Sequence, residues 1–241
     1  VDCQIPVFRD WKLLHSFGYF WVVTNFNPLP QTFYRPSAET VAPRLLGHWL
    51  VRRTKNGFCG GPIVETEAYL VDDPASHGFV GQTSRNRVLY GPPGYAYVYF
   101  IYGTYFCVNA VCREAGHAEA VLIRAIEAEF GVEQMMARRP VGKSILLTNG
   151  PGKLCVALDI DRKLDGENLC IAKSDLFIAA NPEVDAFRRK RGPVVTTTRI
   201  GITKAAHLPL RFYLAGSAFI SKPAPQSIAP PRPKSRAPTK R

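Results

Sequence analysis

Residues 63–70 read IVETEAYL. Folded as a strand, such a segment sends alternate side chains to opposite faces. Val64, Thr66, Ala68 and Leu70 then share a face suited to a core, and Ile63, Glu65, Glu67 and Tyr69 share the other. Alternate residues on a strand lie about 7 Å apart, so two carboxylates and a phenol project together. That set can supply a general base beside an aromatic wall. A solvated strand face would carry the same pattern.

Six of the ten tyrosines fall within residues 90–105: Tyr90, Tyr95, Tyr97, Tyr99, Tyr102 and Tyr105. Tyr95, Tyr97 and Tyr99 alternate onto one strand face. They serve either as good strand formers or as a platform for a flat ligand such as a base. The run Tyr102-Gly103-Thr104-Tyr105 suits a two-residue hairpin turn with Gly first. Tyr102 then sits at a tip, where an aromatic side chain can act as a wedge between base steps. This turn pairs Val98 with Asn109 and sets Asn109 on the face opposite Tyr99; for both to line one pocket a bulge must intervene.

Other segments offer weaker chemistry. His77 closes the polar run Asp72-Asp73-Pro74-Ala75-Ser76 and has no partner at metal-ligand spacing. Asn149-Gly150-Pro151-Gly152-Lys153 opens a helix with free amides and a cation, a workable phosphate site but not a P-loop. Arg188-Arg189-Lys190-Arg191 is either a solvated charge run or a contact for a phosphate backbone.

The elements that must position these residues follow from the same reading. A helix capped by Ser37 runs toward Leu46 and stops at Gly47, with Pro43 inside it. Strands are expected at 49–53, 62–70, 95–102, 105–111 and 120–125, with helices at about 130–139 and after Pro151. Short strands follow residue 168, the last at 211–214. The fold class expected is α+β: one mixed domain over 29–222, with a curved, largely antiparallel sheet, flanking helices and a protruding β-hairpin. Residues 1–28 read as an extension. Their apolar stretch 13–23 lacks a preceding positive region and is not read as a signal peptide.

The 241 residues carry 31 Lys+Arg against 19 Asp+Glu, a formal charge of +12. Such a balance favours a polyanionic partner. Six of those charges (Lys222, Arg232, Lys234, Arg236, Lys240 and Arg241) lie in 222–241, with no acid and six of the 20 prolines. Residues 223–241 therefore read as a disordered basic tail. No apolar run reaches the roughly 18 residues of a spanning helix. The six cysteines form no C-x-x-C pair and have no histidine at zinc-finger spacing, so free thiols and no metal are expected.

Taken together, LLGHWLVRR (45–53), IVETEAYL (63–70), DDPASH (72–77), SRNRVLYGPPGYAYVYFIYGTYFCVN (84–109), VLIRAIE (121–127), LTNGPGKLC (147–155), RIGITKAA (199–206) and LRFYLAGS (210–217) resemble the alkyladenine (3-methyladenine) DNA glycosylases. The resemblance spans about 29–222. It implies excision of alkylated or deaminated purines from double-stranded DNA by a monomeric, monofunctional enzyme without cofactor or metal, found inside the cell with the genome. It implies that Glu67 activates the attacking water and that Tyr69 and His77 face Tyr99 across the extruded base. Asn109 would screen the exocyclic group, Arg124 would lie near base and water, and Tyr102 would fill the gap in the duplex. Gly103, Thr104 and Lys153 are candidates for the DNA backbone, with Thr104 standing where the family often has methionine. Two rival readings are a catalytically silent nucleic-acid-binding module using the same face, and a transferase on a related barrel-like fold. The zinc deaminase signature is absent.

Overall fold

One long strand, β2 (Gly57–Tyr69), organises the sheet. The computed structural model describes residues 26–101 and 103–224. The first half of β2 pairs antiparallel with β1 (Trp49–Thr54). Its second half pairs with β5 (Glu119–Ile126) on one edge and β8 (Arg211–Leu214) on the other. The change of partner falls between Pro62 and Ile63, just after Gly60-Gly61. A Cβ at Gly60 would run into the Leu50 carbonyl, and one at Gly61 into that of Glu127. Only glycine therefore lets the chain leaving β5 cross here, where Gly60 N–H donates to Phe130 O and Glu129 N–H to Gly60 O, both at 3.0 Å. Those glycines break the apolar alternation, which is why β2 starts five residues before the expected Pro62.

The sheet extends through β6 (Leu176–Ala179) beside β1, β4 (Tyr105–Cys112) beside β5 and β3 (Ala96–Ile101) beside β4. The order is β3-β4-β5-β2-β1-β6, with β7 (Val194–Thr197) attached through β8. All these pairings are antiparallel, so the α+β class and the curled antiparallel sheet are as expected.

The helix α1 (Ala38–Leu45) starts where Ser37 Oγ accepts from Thr40 N–H at 3.4 Å. It buries Ala38, Val41, Ala42 and Leu45, the i, i+3, i+4, i+7 stripe of a packed helix. Pro43 sits in its last turn and gives up one i→i−4 hydrogen bond there. After β5 come α2 (Val132–Arg138) and α3 (Ile145–Thr148), then α4 (Pro151–Leu158) with proline in its first turn. The last helix is α5 (Val184–Arg191). One sheet face (Val64, Ala68, Val98, Val108, Val121, Ile123) packs with α1 and α4 into the main core. The opposite face is left to build a cleft. No helix among the described residues is long and apolar enough to cross a membrane.

One expectation needs correction. The β3–β4 connection is three residues (102–104), not two, because Ile101 pairs with Tyr105. Gly103 at φ +68° makes the longer loop possible. The register shifts by one, so Asn109 faces Tyr97 instead of Val98. Asn109 therefore shares a face with Tyr99 without any bulge in this hairpin. The residues just before 29 also pack against the domain. Phe26 is buried among Trp49, Phe58, Phe130 and Phe177, with ring centroids 5.1–6.0 Å away. Asn27 O accepts from Ala180 N–H at 2.8 Å. The rest of the expected extension and the basic tail from 225 onward lie outside the described residues, as does Tyr102.

Truncating a buried phenylalanine removes its transfer energy and leaves a cavity. Phe26→Ala is expected to destabilise the fold by about 3 kcal/mol, read as a lower denaturation midpoint with an unchanged m-value. An unaltered midpoint would show that residues 26–28 are not part of the folding unit.

Candidate active site

The cleft face of the sheet presents Tyr97, Tyr99 and Ile101 from β3, Tyr105, Cys107 and Asn109 from β4, and Ala120, Leu122 and Arg124 from β5. These residues alternate along paired strands, so one register places them all. Tyr69 of β2 continues the surface. Three segments roof it: Ala75–His77 with Leu89, the start of α4 (Gly150–Lys153), and Ile200–Ile202. The cavity measures about 540 Å³, within the range of small-molecule sites.

Aromatic rings form its slot. His77 and Tyr99 pack edge to face with centroids 4.3 Å apart, and Tyr97 lies 5.4 Å from Tyr99. His77 Nδ1 and the Tyr97 hydroxyl share a hydrogen bond of 2.9 Å. Burial lowers the His77 pKa, which favours a neutral imidazole. Burial raises Tyr99 well above the usual phenol value and pushes Tyr97 up to about 12. Burial, then the neighbouring Glu67 carboxylate, also drives Tyr69 upward. The Cys107 thiol is pushed up to about 11, again by burial. The histidine, tyrosines and cysteine of the slot are thus uncharged at neutral pH. Tyr95 does not join it; it sits before β3 and bridges to Asn168.

The charged machinery lies one layer below. Glu67 is fully buried, beneath Tyr69, Arg124 and Ile200, which do line the cavity. Its Oε2 accepts from the Tyr69 hydroxyl at 3.0 Å and meets Arg124 Nη1 at 3.2 Å, and its Oε1 accepts from Ile200 N–H at 2.8 Å. Glu65 shares that face and also meets Arg124, through Nε at 3.0 Å, but its other partners differ: Arg211 Nε at 2.7 Å and both donors of Ser221. The two carboxylates of the IVETEAYL strand are therefore not equivalent. Glu65 is sealed among cations and a serine, and Glu67 abuts the cleft.

Arg124 reaches both acids because the β2–β5 ladder is irregular here. Glu65 pairs with Ala125 and Thr66 with Ile123, which leaves Arg124 as an extra residue between two pairs. A bulge of this kind re-aims a side chain. Burial alone would depress the Arg124 pKa, but Glu67 and Glu65 outweigh it and raise the value, so the guanidinium keeps its charge.

A second buried pair went unnoticed in the sequence. Arg199 makes a bidentate contact with Asp73, both side chains fully enclosed. Its Nη1 also donates to Ala68 O at 3.0 Å, and its guanidinium covers the Tyr69 ring at 4.7 Å. One arginine thus joins the His77 loop, the β2 strand and the backbone that delivers Ile200 N–H to Glu67. Nothing periodic marks it; the only signal was the Asp72-Asp73 doublet beside a polar loop.

The remaining candidates are placed as follows. Asn109 is buried and donates from Nδ2 to Tyr97 O at 3.0 Å. Lys153 is exposed at the cleft mouth and donates to Asn149 Oδ1 at 3.0 Å. Gly103 has open space where a Cβ would be, and Thr104 borders a second, smaller cavity. In the basic run of α5, Arg188 donates to Leu46 O and Arg44 O, and Arg191 to Glu127, so two of its four cations serve the fold. The described cysteines Cys59, Cys107, Cys112, Cys155 and Cys170 are free thiols. Among the described residues no group of His, Cys, Asp or Glu could hold a metal ion.

The cleft thus joins aromatic rings to a buried carboxylate that a guanidinium holds in place. Comparison with known proteins places the chain. The family model described as methylpurine-DNA glycosylase (MPG) matches residues 32–218. A protein of Methanoculleus marisnigri is 48% identical over 194 residues, covering 80% of this chain and 98% of its own. One of Koribacter versatilis is 48% identical over 198 residues (80% and 93%), and one of Rhodopseudomonas palustris 47% over 196 (81% and 91%). All three are named "Putative 3-methyladenine DNA glycosylase". The chain belongs to the methylpurine-DNA glycosylase family and is an N-glycosylase of alkylated-purine repair.

Removing one partner of a buried ion pair strands the other charge. Asp73→Asn is expected to destabilise the protein by about 3 kcal/mol, measured as the shift in urea midpoint. A change below about 0.5 kcal/mol, the size of an ordinary surface substitution, would show that Arg199 does not depend on this carboxylate.

Proposed function

We propose that the enzyme extrudes an alkylated or deaminated purine nucleotide from duplex DNA into the cleft and hydrolyses its N-glycosidic bond with a water activated by Glu67. The observation that carries this reading is the placement of Glu67: buried, fixed by three donors, and one layer under an aromatic slot. An ionised carboxylate has about four acceptor positions, so one remains for a water admitted between Tyr69, Arg124 and Ile200. The water oxygen bonds to C1′, its proton passes to Glu67, and the purine leaves with the bonding electrons. Negative charge under the slot also stabilises the oxocarbenium character of the sugar, as in other glycoside hydrolyses.

The walls suit the substrate class. A base of the 3-methyladenine or 7-methylguanine type is cationic, and tyrosine faces attract cations by their quadrupole. Neutral hypoxanthine or ethenoadenine would stack without that gain. Tyr69 and His77 are proposed to form one wall and Tyr99 the other, which requires His77 to leave its 4.3 Å contact with Tyr99. Asn109 projects toward the purine edge, where its amide discriminates exocyclic groups. Flipping costs a few kcal/mol, less for damaged bases. Tyr102, outside the described residues, is proposed to refill the stack. Gly103, Thr104 and Lys153 are proposed to meet the phosphate backbone. The product is an abasic site, and the enzyme acts on double-stranded DNA as a monomer.

Two measurements test this. Glu67→Gln should slow single-turnover release of 3-methyladenine from methylated duplex by about 10²–10⁴-fold, the usual worth of a general base, with damaged-DNA affinity retained. Release at close to the wild-type rate would refute the mechanism. Tyr102→Ser should diminish the flipping signal of 2-aminopurine beside the lesion while nonspecific affinity stays within about twofold. An undiminished signal would remove the wedge.

A further inference from the structure

The three guanidinium nitrogens of Arg124 meet three different partners. Nε donates to Glu65 Oε1 at 3.0 Å, Nη1 faces Glu67 Oε2 at 3.2 Å, and Nη2 donates to Ser221 Oγ at 3.1 Å. The first two partners come from β2, next to β5 in the sheet. The third comes from the far end of the chain, three residues past the family match at 32–218. Ser221 also gives: its Oγ donates to Glu65 Oε1 at 2.8 Å and its N–H to Glu65 Oε2 at 2.6 Å.

The segment carrying Ser221 is tied down on both sides. Ser217 Oγ donates to Glu127 Oε1 at 2.7 Å, Arg211 Nη2 donates to Lys222 O, and Ala224 N–H donates to the Tyr213 hydroxyl at 3.0 Å. Residues 217–224 thus form a strap over the buried charges. The strap does not line the cleft.

We infer that Ser221 is a positioning residue for the glycosylase reaction: it closes the guanidinium of Arg124 and, through it, holds the Glu67 carboxylate. The inference rests on the proposed role of Glu67. A guanidinium gripped only at Nε and Nη1 can tilt between two acids. A third hydrogen bond at Nη2 fixes its plane. Without the hydroxyl, a buried N–H loses its acceptor and Glu65 loses a donor, in a setting where each bond to a charged group matters.

The test uses full-length enzyme in excess over methylated duplex, with released 3-methyladenine measured across enzyme concentrations. Ser221→Ala should lower the maximal single-turnover rate about tenfold and leave the half-saturating concentration within about twofold. Ser221→Thr, which keeps the hydroxyl and the amide, should restore the rate. A wild-type rate in Ser221→Ala overturns the inference, even if its melting midpoint falls, because the residue would then be merely structural. Equal slowing in Ser221→Thr overturns it too, because the hydroxyl would not be the cause. Glu67→Gln runs alongside. If that variant still releases the base, the Glu67 mechanism fails and takes this inference with it. If it is inactive while Ser221→Ala is unimpaired, only the strap is lost.

Discussion

Burying a guanidinium between two carboxylates is the constraint on which the cleft depends. Each of these ions loses several kcal/mol of solvation on leaving water, and mutual attraction offsets this only where the geometry is good and the remaining polar atoms are satisfied. Here Arg124 and Arg211 balance Glu65 and Glu67, a cluster of two positive and two negative charges. Neutrality alone would not suffice. The cluster needs the β5 bulge that frees Arg124 from the ladder, and it needs donors from Ser221 and Ile200 to finish the carboxylates. The irregular strand, the 199–202 segment and the C-terminal strap are therefore parts of one electrostatic solution, though they lie far apart in sequence.

That solution explains why the sheet can be buried on both faces. Its core face is the usual aliphatic layer against α1 and α4. The cleft face is lined by neutral aromatics over a satisfied ion cluster, so it can stand empty or hold a flat ring without stranding a charge. Rigidity comes from sharing: Arg199 joins the Asp73 loop to Tyr69, and Tyr69 joins back to Glu67. Displacing any one of these groups unpairs another, which is how a network fixes geometry more tightly than isolated bonds.

The parts legible in the sequence are those set by short-range pattern. Alternation in IVETEAYL and in the tyrosine-rich strands locates the sheet and separates its two faces, and Ser37 marks the start of α1. Three features escaped that logic. One residue of loop length decides the face of Asn109, and Gly103 adopts a conformation no spacing rule reveals. Arg124 reaches Glu67 through a bulge, where periodicity fails by definition. Phe26, Arg199 and Ser221 find their partners across 23 to 156 residues of chain, and a single sequence carries no trace of such pairings. The resemblance to known glycosylases supplied roles for several cleft residues, but not the reason Arg124 is held where it is.

The formal charge of +12 takes on a narrower meaning in this light. Inside the domain, arginines are largely consumed: Arg124 and Arg211 by Glu65 and Glu67, Arg199 by Asp73, Arg188 by backbone carbonyls, Arg191 by Glu127. The Arg124–Glu67 pair leaves the floor of the cleft balanced, while Lys153 stands at its mouth. Long-range attraction to a polyanion then draws on Lys153 and on cations outside the cleft, half of the excess lying in residues 222–241. On the proposed mechanism, finding DNA and choosing a base are physically separate. The first is Coulombic and weakens with salt. The second rests on stacking, on the ease of flipping and on the fit of one carboxylate, none of which salt screens strongly.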